Sequence, residues 1–127
     1  MVKITALYVL LLAVLLLTLA TLVMIQRGRH HVSLGDGGQG PLARAIRAHG
    51  NAVEYVPIVL LLMLVYELNG GLPLLLHGCG SLLLVARIAH AWGLGASAGE
   101  SFGRAAGVAG TFIAAVILIG ANLLLLI

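Results

Sequence analysis

The sequence predicts an all-α integral membrane protein, a four-helix bundle forming a single domain over residues 1–127. The 127-residue chain is 61% hydrophobic and only 9% charged, far too apolar for a soluble domain of this size. Four apolar stretches, residues 4–25, 52–66, 72–92 and 105–127, are long enough with their flanks to cross a hydrocarbon core of roughly 30 Å. Little chain is left over for a separate soluble unit.

The first helix is expected at about residues 3–27. Lys3 precedes its apolar run much as a charge precedes a signal core, but such a core spans roughly 7–15 residues and is followed by an Ala-x-Ala-like site. Here the run is longer and Gln26-Arg27-Gly28-Arg29 follows it, so a retained membrane helix is expected. Gly35-Asp36-Gly37-Gly38-Gln39-Gly40 then reads as a tight or flexible turn. A phosphate cradle would need a strand before it and Lys-Ser/Thr after it, and neither is present. Pro41 suits the first turn of the second helix, expected at about 42–68. Pro57 lies inside that helix and removes the amide bond to the carbonyl of Val53, which predicts a local kink. At its far end Glu67 and Asn69 read as solvated boundary residues, followed by the turn Asn69-Gly70-Gly71-Leu72-Pro73.

The third helix, about 72–93, ends near Trp92-Gly93, with Trp92 suited to a membrane interface. Residues 95–103 are small and polar and read as a short loop. The fourth helix, about 102–127, carries Gly103-x3-Gly107 and Ala106-x3-Gly110. That spacing lets helices approach closely in lipid, either between subunits or within the bundle. No internal repeat links the two halves, which weighs against an inverted-repeat transporter.

The net charge of +3 is concentrated. Arg27, Arg29, Arg44 and Arg47 flank the first loop, Arg87 and Arg104 flank the third, and residues 67–72 hold no Lys or Arg. The positive-inside rule therefore predicts cytoplasmic loops one and three, with both termini opposite and Lys3 dissenting. Nucleic-acid binding needs a solvated basic surface with reading elements, which this chain lacks. Cys79 is the single cysteine, so no internal disulfide forms; Gly78 and Gly80 beside it suggest packing. His30 and His31 point apart and His77 belongs to the opposite membrane side, so no metal site is expected.

The chemistry-bearing segment is Arg47-Ala-His-Gly-Asn51-Ala-Val-Glu54-Tyr55-Val-Pro57. A cation, an amide and a carboxylate at i, i+4 and i+7 share one helix face, at the mouth of the apolar run 58–65. Ionisable groups at that depth are costly and face a bundle interior or a wet cavity. Arg47 and Glu54 start roughly 10 Å apart along the axis, beyond the i+3 or i+4 spacing of helical ion pairs. Each needs a partner from another helix, another subunit or a ligand, and a zwitterionic peptide-like guest would suit both. A buried structural network is the equal alternative. Arg87 and His90 share a face late in helix three, and Arg104 opens helix four, where snorkelling to the surface is the simpler account.

Arg47-x3-Asn51-x2-Glu54-Tyr55-x-Pro57, together with Ala86-Arg87-x2-His90-x2-Gly93, resembles the MAPEG superfamily, membrane-associated proteins in eicosanoid and glutathione metabolism that include microsomal glutathione transferases. The chain is most similar to its small bacterial members, and the likeness runs over essentially the whole sequence. The resemblance implies a homotrimer of four-helix subunits in the bacterial inner membrane. It implies glutathione as co-substrate, bound between subunits near the cytosolic face, and a hydrophobic electrophile arriving from the bilayer. By the same resemblance Arg27, Arg47, Asn51, Glu54, Tyr55, Arg87 and His90 contact glutathione, and Arg104 stabilises the thiolate. His90 stands where the enzymes of the family carry Tyr, and a second Tyr falls near Leu94; those two departures touch the thiol contacts. The expected activity is glutathione transfer, with peroxidase activity in the same chemistry. Two other readings stay open: a non-catalytic glutathione-binding scaffold, and a small channel or exporter subunit. The unbroken apolar run 58–65 tells against a pore along helix two.

Overall fold

The computed structural model describes residues 1–96 and 101–127. All regular structure in them is helical: α1 (Ile4–His30), α2 (Gly40–Leu68), α3 (Pro73–Ala96) and α4 (Phe102–Leu126). Each helix is long and apolar enough to span a membrane. The short loop expected around residues 95–103 falls partly on 97–100, outside the described residues. The helices run alternately up and down. α2 and α3 occupy the centre, each touching the other three helices, whereas α1 and α4 do not meet.

Why the chain bends where it does is local chemistry. α1 ends as His31 turns left-handed at φ 54° and Val32 N–H reaches back to the Arg27 carbonyl at 3.1 Å. In the following turn, Gly37 sits at φ 56°, and a Cβ there would stand 2.6 Å from Val32 Cγ2, so backbone and space both demand glycine. Asp36 Oδ1 accepts from Gly38 N–H at 3.0 Å. The glycine segment is thus a compact turn, and Pro41 follows in the first turn of α2. Pro57 is accommodated within α2, which continues as helix to Leu68.

In lipid no hydrophobic force draws helices together, so close packing and interhelical hydrogen bonds must do it. The central cluster of Leu12, Val56, Val59, Met63, Leu76, Cys79, Leu83, Ala114 and Leu118 fills the bundle, giving Cys79 the packing role expected of it. α3 and α4 form the closest pair. A Cβ on Gly107 would lie 2.6 Å from the Ala86 carbonyl oxygen, and one on Gly103 2.8 Å from that of Ala89. The small-residue spacing of α4 therefore serves packing within the subunit.

Glu67 corrects the sequence reading. Lys3 offers no side-chain cap to α1, and the Glu67 carboxylate at the end of α2 fills that role instead. It accepts from Ile4 N–H at 2.9 Å and Thr5 N–H at 2.7 Å, satisfying two orphan donors and facing the positive end of the helix dipole. Nearby, the buried Tyr8 hydroxyl donates to the His77 carbonyl at 3.0 Å and meets Ser81 Oγ at 2.9 Å and His77 Nδ1 at 3.1 Å. Asn122 Nδ2 donates to the Leu62 carbonyl at 3.1 Å, tying α4 to α2.

Two substitutions test this packing by thermal unfolding in detergent. Gly107→Ala forces a side chain into the α3–α4 contact and is expected to destabilise by about 1–3 kcal/mol; an unchanged melting temperature refutes the contact. Glu67→Ala strips α1 of its remote cap and is expected to cost about 1–2 kcal/mol, with Glu67→Gln in between because one acceptor survives.

Candidate functional site

Ala48, Ala52, Val56 and Val59 are buried and fix the rotation of α2. That rotation leaves Arg47 and Glu54 on the outside of the chain. Among the described residues neither has a hydrogen-bond or ion-pair partner. Asn51 does not share their isolation: its Oδ1 accepts from Arg87 Nη1 at 2.7 Å. Tyr55 is half-buried, its ring packed on Phe112 of α4 with centroids 5.6 Å apart.

Arg87, late in α3, is enclosed by the bundle at 2% exposure. Besides Asn51, it holds the Gly107 carbonyl through Nη2 at 2.7 Å, while its Nε has no partner. Thr111 Oγ1 donates to the same carbonyl at 2.9 Å. One guanidinium thus joins α2, α3 and α4. The glycines of α4 make this possible, since Gly107 lies against both the Ala86 carbonyl and the His90 side chain.

Arg104 stands in the first turn of α4, where the Ser101 hydroxyl caps the helix by accepting its N–H at 3.4 Å. Two clefts share this arginine. One, of about 290 Å³, is lined by Gly40, Ala43, Arg44, Arg47, Leu94 and Arg104. The other, of about 510 Å³, is lined by His90, Ser101, Arg104, Ala105, Val108 and Ala109. Arg104 therefore has two further arginines, Arg44 and Arg47, on one side and a partly apolar trough on the other. His90 is 7% exposed and, among the described residues, has no hydrogen-bond partner within the chain.

The sequence-predicted residues thus fall into three sets. Arg47, His90 and Arg104 line the clefts. Asn51 and Arg87 pair with each other. Glu54, Tyr55 and Arg27 line neither cleft; the Arg27 guanidinium donates to the Gly35 carbonyl at 3.0 Å and the Val32 carbonyl at 3.4 Å, bracing the glycine turn. Sequence reasoning missed Arg44 and Ser101. Arg44 carried a usable signal, lying three residues before Arg47 on the same helix face; Ser101 carried one too, since a Ser before an apolar helical run is an N-cap signature. No group of three or more His, Cys, Asp or Glu suited to a metal occurs among the described residues.

Comparison with known proteins agrees with this architecture. Over 90 residues the chain is 46% identical to the inner membrane protein YecN of Escherichia coli strain K12, covering 71% of this chain and 69% of that protein. The same figures hold for the protein of that name in Escherichia coli O6:H1. No solved structure gives a significant match. The sequence profile of the MAPEG family matches residues 5–124, a stretch that takes in nearly all of the four helices and both clefts, and the chain therefore belongs to the MAPEG family.

Proposed function

We propose that the protein is a membrane-bound glutathione-dependent transferase. The observation that carries this reading is the sharing of Arg104 between a cationic cleft and a partly apolar one. Arg44 and Arg47 offer charge to the carboxylates of the tripeptide, which places its thiol toward Arg104. A free thiol has a pKa of about 8.5 and is a weak nucleophile at neutral pH. A guanidinium beside the sulfur favours the thiolate. Ala105, Val108 and Ala109 continue the second cleft with apolar surface, suited to a lipid-soluble electrophile. The thiolate attacks the electrophilic carbon, a thioether bond forms, and the leaving group departs with its electron pair. With a hydroperoxide the same thiolate attacks the terminal oxygen, the oxygen–oxygen bond breaks with release of the alcohol, and a second glutathione converts the resulting sulfenic acid to disulfide and water.

Arg47 and Glu54, outward-facing in the single chain, suit a site completed by a second copy. Glu54 would take the tripeptide's amine, and Asn51, its oxygen occupied by Arg87, would offer its amide N–H groups. In this reading three copies assemble in the inner membrane with the arginine-rich end toward the cytoplasm, as the charge distribution favours.

Turnover of glutathione with chlorodinitrobenzene by the detergent-purified protein tests the assignment. Arg104→Ala is expected to lower kcat about 100-fold or more while glutathione affinity stays near that of the wild type. Arg47→Ala is expected to weaken glutathione binding about tenfold or more with a smaller change in kcat. Glutathione binding by calorimetry without conjugation of any of several electrophiles would favour the scaffold instead. Native mass spectrometry is expected to show three copies per particle; a monomer with full glutathione affinity rejects a shared site.

A further inference from the structure

The second cleft holds a group that the transferase reading leaves idle. Its polar lining is His90, Ser101 and Arg104. Arginine keeps its proton under all ordinary conditions and a serine hydroxyl is a poor base. A neutral imidazole presents one acceptor nitrogen. Among the described residues lining this cleft, His90 is therefore the one side chain equipped to receive a proton. It is more than nine-tenths buried, and among the described residues no hydrogen bond occupies its nitrogens. The residue is buried while its ring borders the cleft with its nitrogens unengaged among the described residues, which leaves them available to a guest.

Its position is also constructed with care. Gly107 lies against the His90 side chain, and Gly93 lies against the Arg104 backbone and Ser101 Oγ. These two glycines bring α3 and α4 close enough for the imidazole and the guanidinium to line the same 510 Å³ space. A residue with a side chain at either position would push the two groups apart.

We propose that His90 is the proton acceptor for the thiol that binds in this cleft, acting beside Arg104. This deepens the transferase reading and rests on it. The sulfur–hydrogen bond breaks and a nitrogen–hydrogen bond forms on the ring, leaving a thiolate beside an imidazolium. The sulfur electron pair then forms the carbon–sulfur bond as the leaving group departs with its own pair. Arg104 lines the same cleft as His90, and Arg87 stands three residues before it on α3. A positive ring among them is held by the adjacent thiolate, and once the sulfur is consumed the proton passes to water through the cleft. The site returns to its starting charge. His90 thereby does chemistry that a hydrogen-bond donor fixed in its protonated form cannot do.

The test measures two things at once as glutathione is added to the detergent-purified protein in weak buffer: ultraviolet thiolate absorbance, and proton release to an indicator dye. The wild type is expected to form thiolate with little net proton release, because the ring keeps the proton. His90→Gln retains hydrogen bonding without a base; it is expected to lose most of the thiolate signal at neutral pH and about 100-fold in conjugation rate. Where raised pH restores its thiolate, about one proton per thiolate should appear in solution. His90→Ala supplemented with free imidazole is expected to recover part of the rate, which a purely structural role would not allow, and size-exclusion elution checks that both variants remain assembled. A wild type that releases one proton per thiolate overturns the proposal, as does a His90→Gln variant with unchanged thiolate signal and rate. If the wild type forms no thiolate with glutathione, the transferase reading itself falls and this inference with it.

Discussion

The structure turns on a cation enclosed among helices and held, among the described residues, by an amide and a carbonyl instead of a carboxylate. Burying a guanidinium in a membrane bundle is costly, and Arg87 offsets that cost with a side-chain amide on α2 and a backbone carbonyl on α4. The geometry is available because Gly107 has no side chain to hold α4 away from α3. The small residue and the large one are parts of a single arrangement. Remove the close approach and the carbonyl recedes from Arg87; remove Arg87 and Asn51 loses the donor that sets its orientation. With the Asn51 oxygen committed to Arg87, its NH2 group is the part left to meet a guest.

The two ends of the bundle use polar groups in opposite ways. At the end holding the start of α1, polar groups answer each other across helices: Glu67 caps α1, Tyr8 meets His77 and Ser81, and Asn122 reaches Leu62. These contacts lock α1, α2, α3 and α4 into one register. At the arginine-rich end, Arg47 and Glu54 are outward-facing and unpaired among the described residues, and two clefts open beside Arg104. On the proposed reading, the groups left unsatisfied at this end are the ones that serve binding. A site assembled at the second end can exchange guests without disturbing the contacts that fix the first.

The four helices were legible because bilayer thickness sets the length of an apolar run, and length is visible in a sequence. The resemblance to MAPEG proteins was legible in the helix-two pattern for a related reason, since its residues share one helix and their spacing fixes a common face. Contacts between helices were another matter. Glu67 resembles any acidic residue at a membrane boundary until α1 is seen to begin beside it. Asn51 seemed to belong with Arg47 and Glu54 because helical periodicity groups them, yet its partner is on α3. Such pairings depend on how far one helix is shifted along another, and no periodicity within a single segment encodes that shift. Arg27 illustrates the same point, turning back to the glycine turn that follows its own helix.

The depth of the charged groups gives the arrangement a direction. Arg44 and Arg47 belong to the first turns of α2, whereas Glu54 lies roughly 10 Å further along the axis from Arg47 at helical rise. Opposite charges at that separation do not neutralise each other within one helix. In glutathione the glycine carboxylate and the γ-glutamyl amine lie at opposite ends of the molecule, so on the proposed reading one extended guest spans what the helix cannot bridge. On that reading its glycine carboxylate would rest toward the arginine-rich rim and its γ-glutamyl amine toward Glu54, with the thiol between them directed at the cleft of His90 and Arg104. The apolar wall of that cleft, Val108 and Ala109, is exposed on the single chain. For the proposed reaction, an electrophile dissolved in the hydrocarbon would approach from the side while the peptide approaches from the end. On the proposed reading, two reactants of opposite solubility would meet at one arginine without either crossing the medium that excludes it.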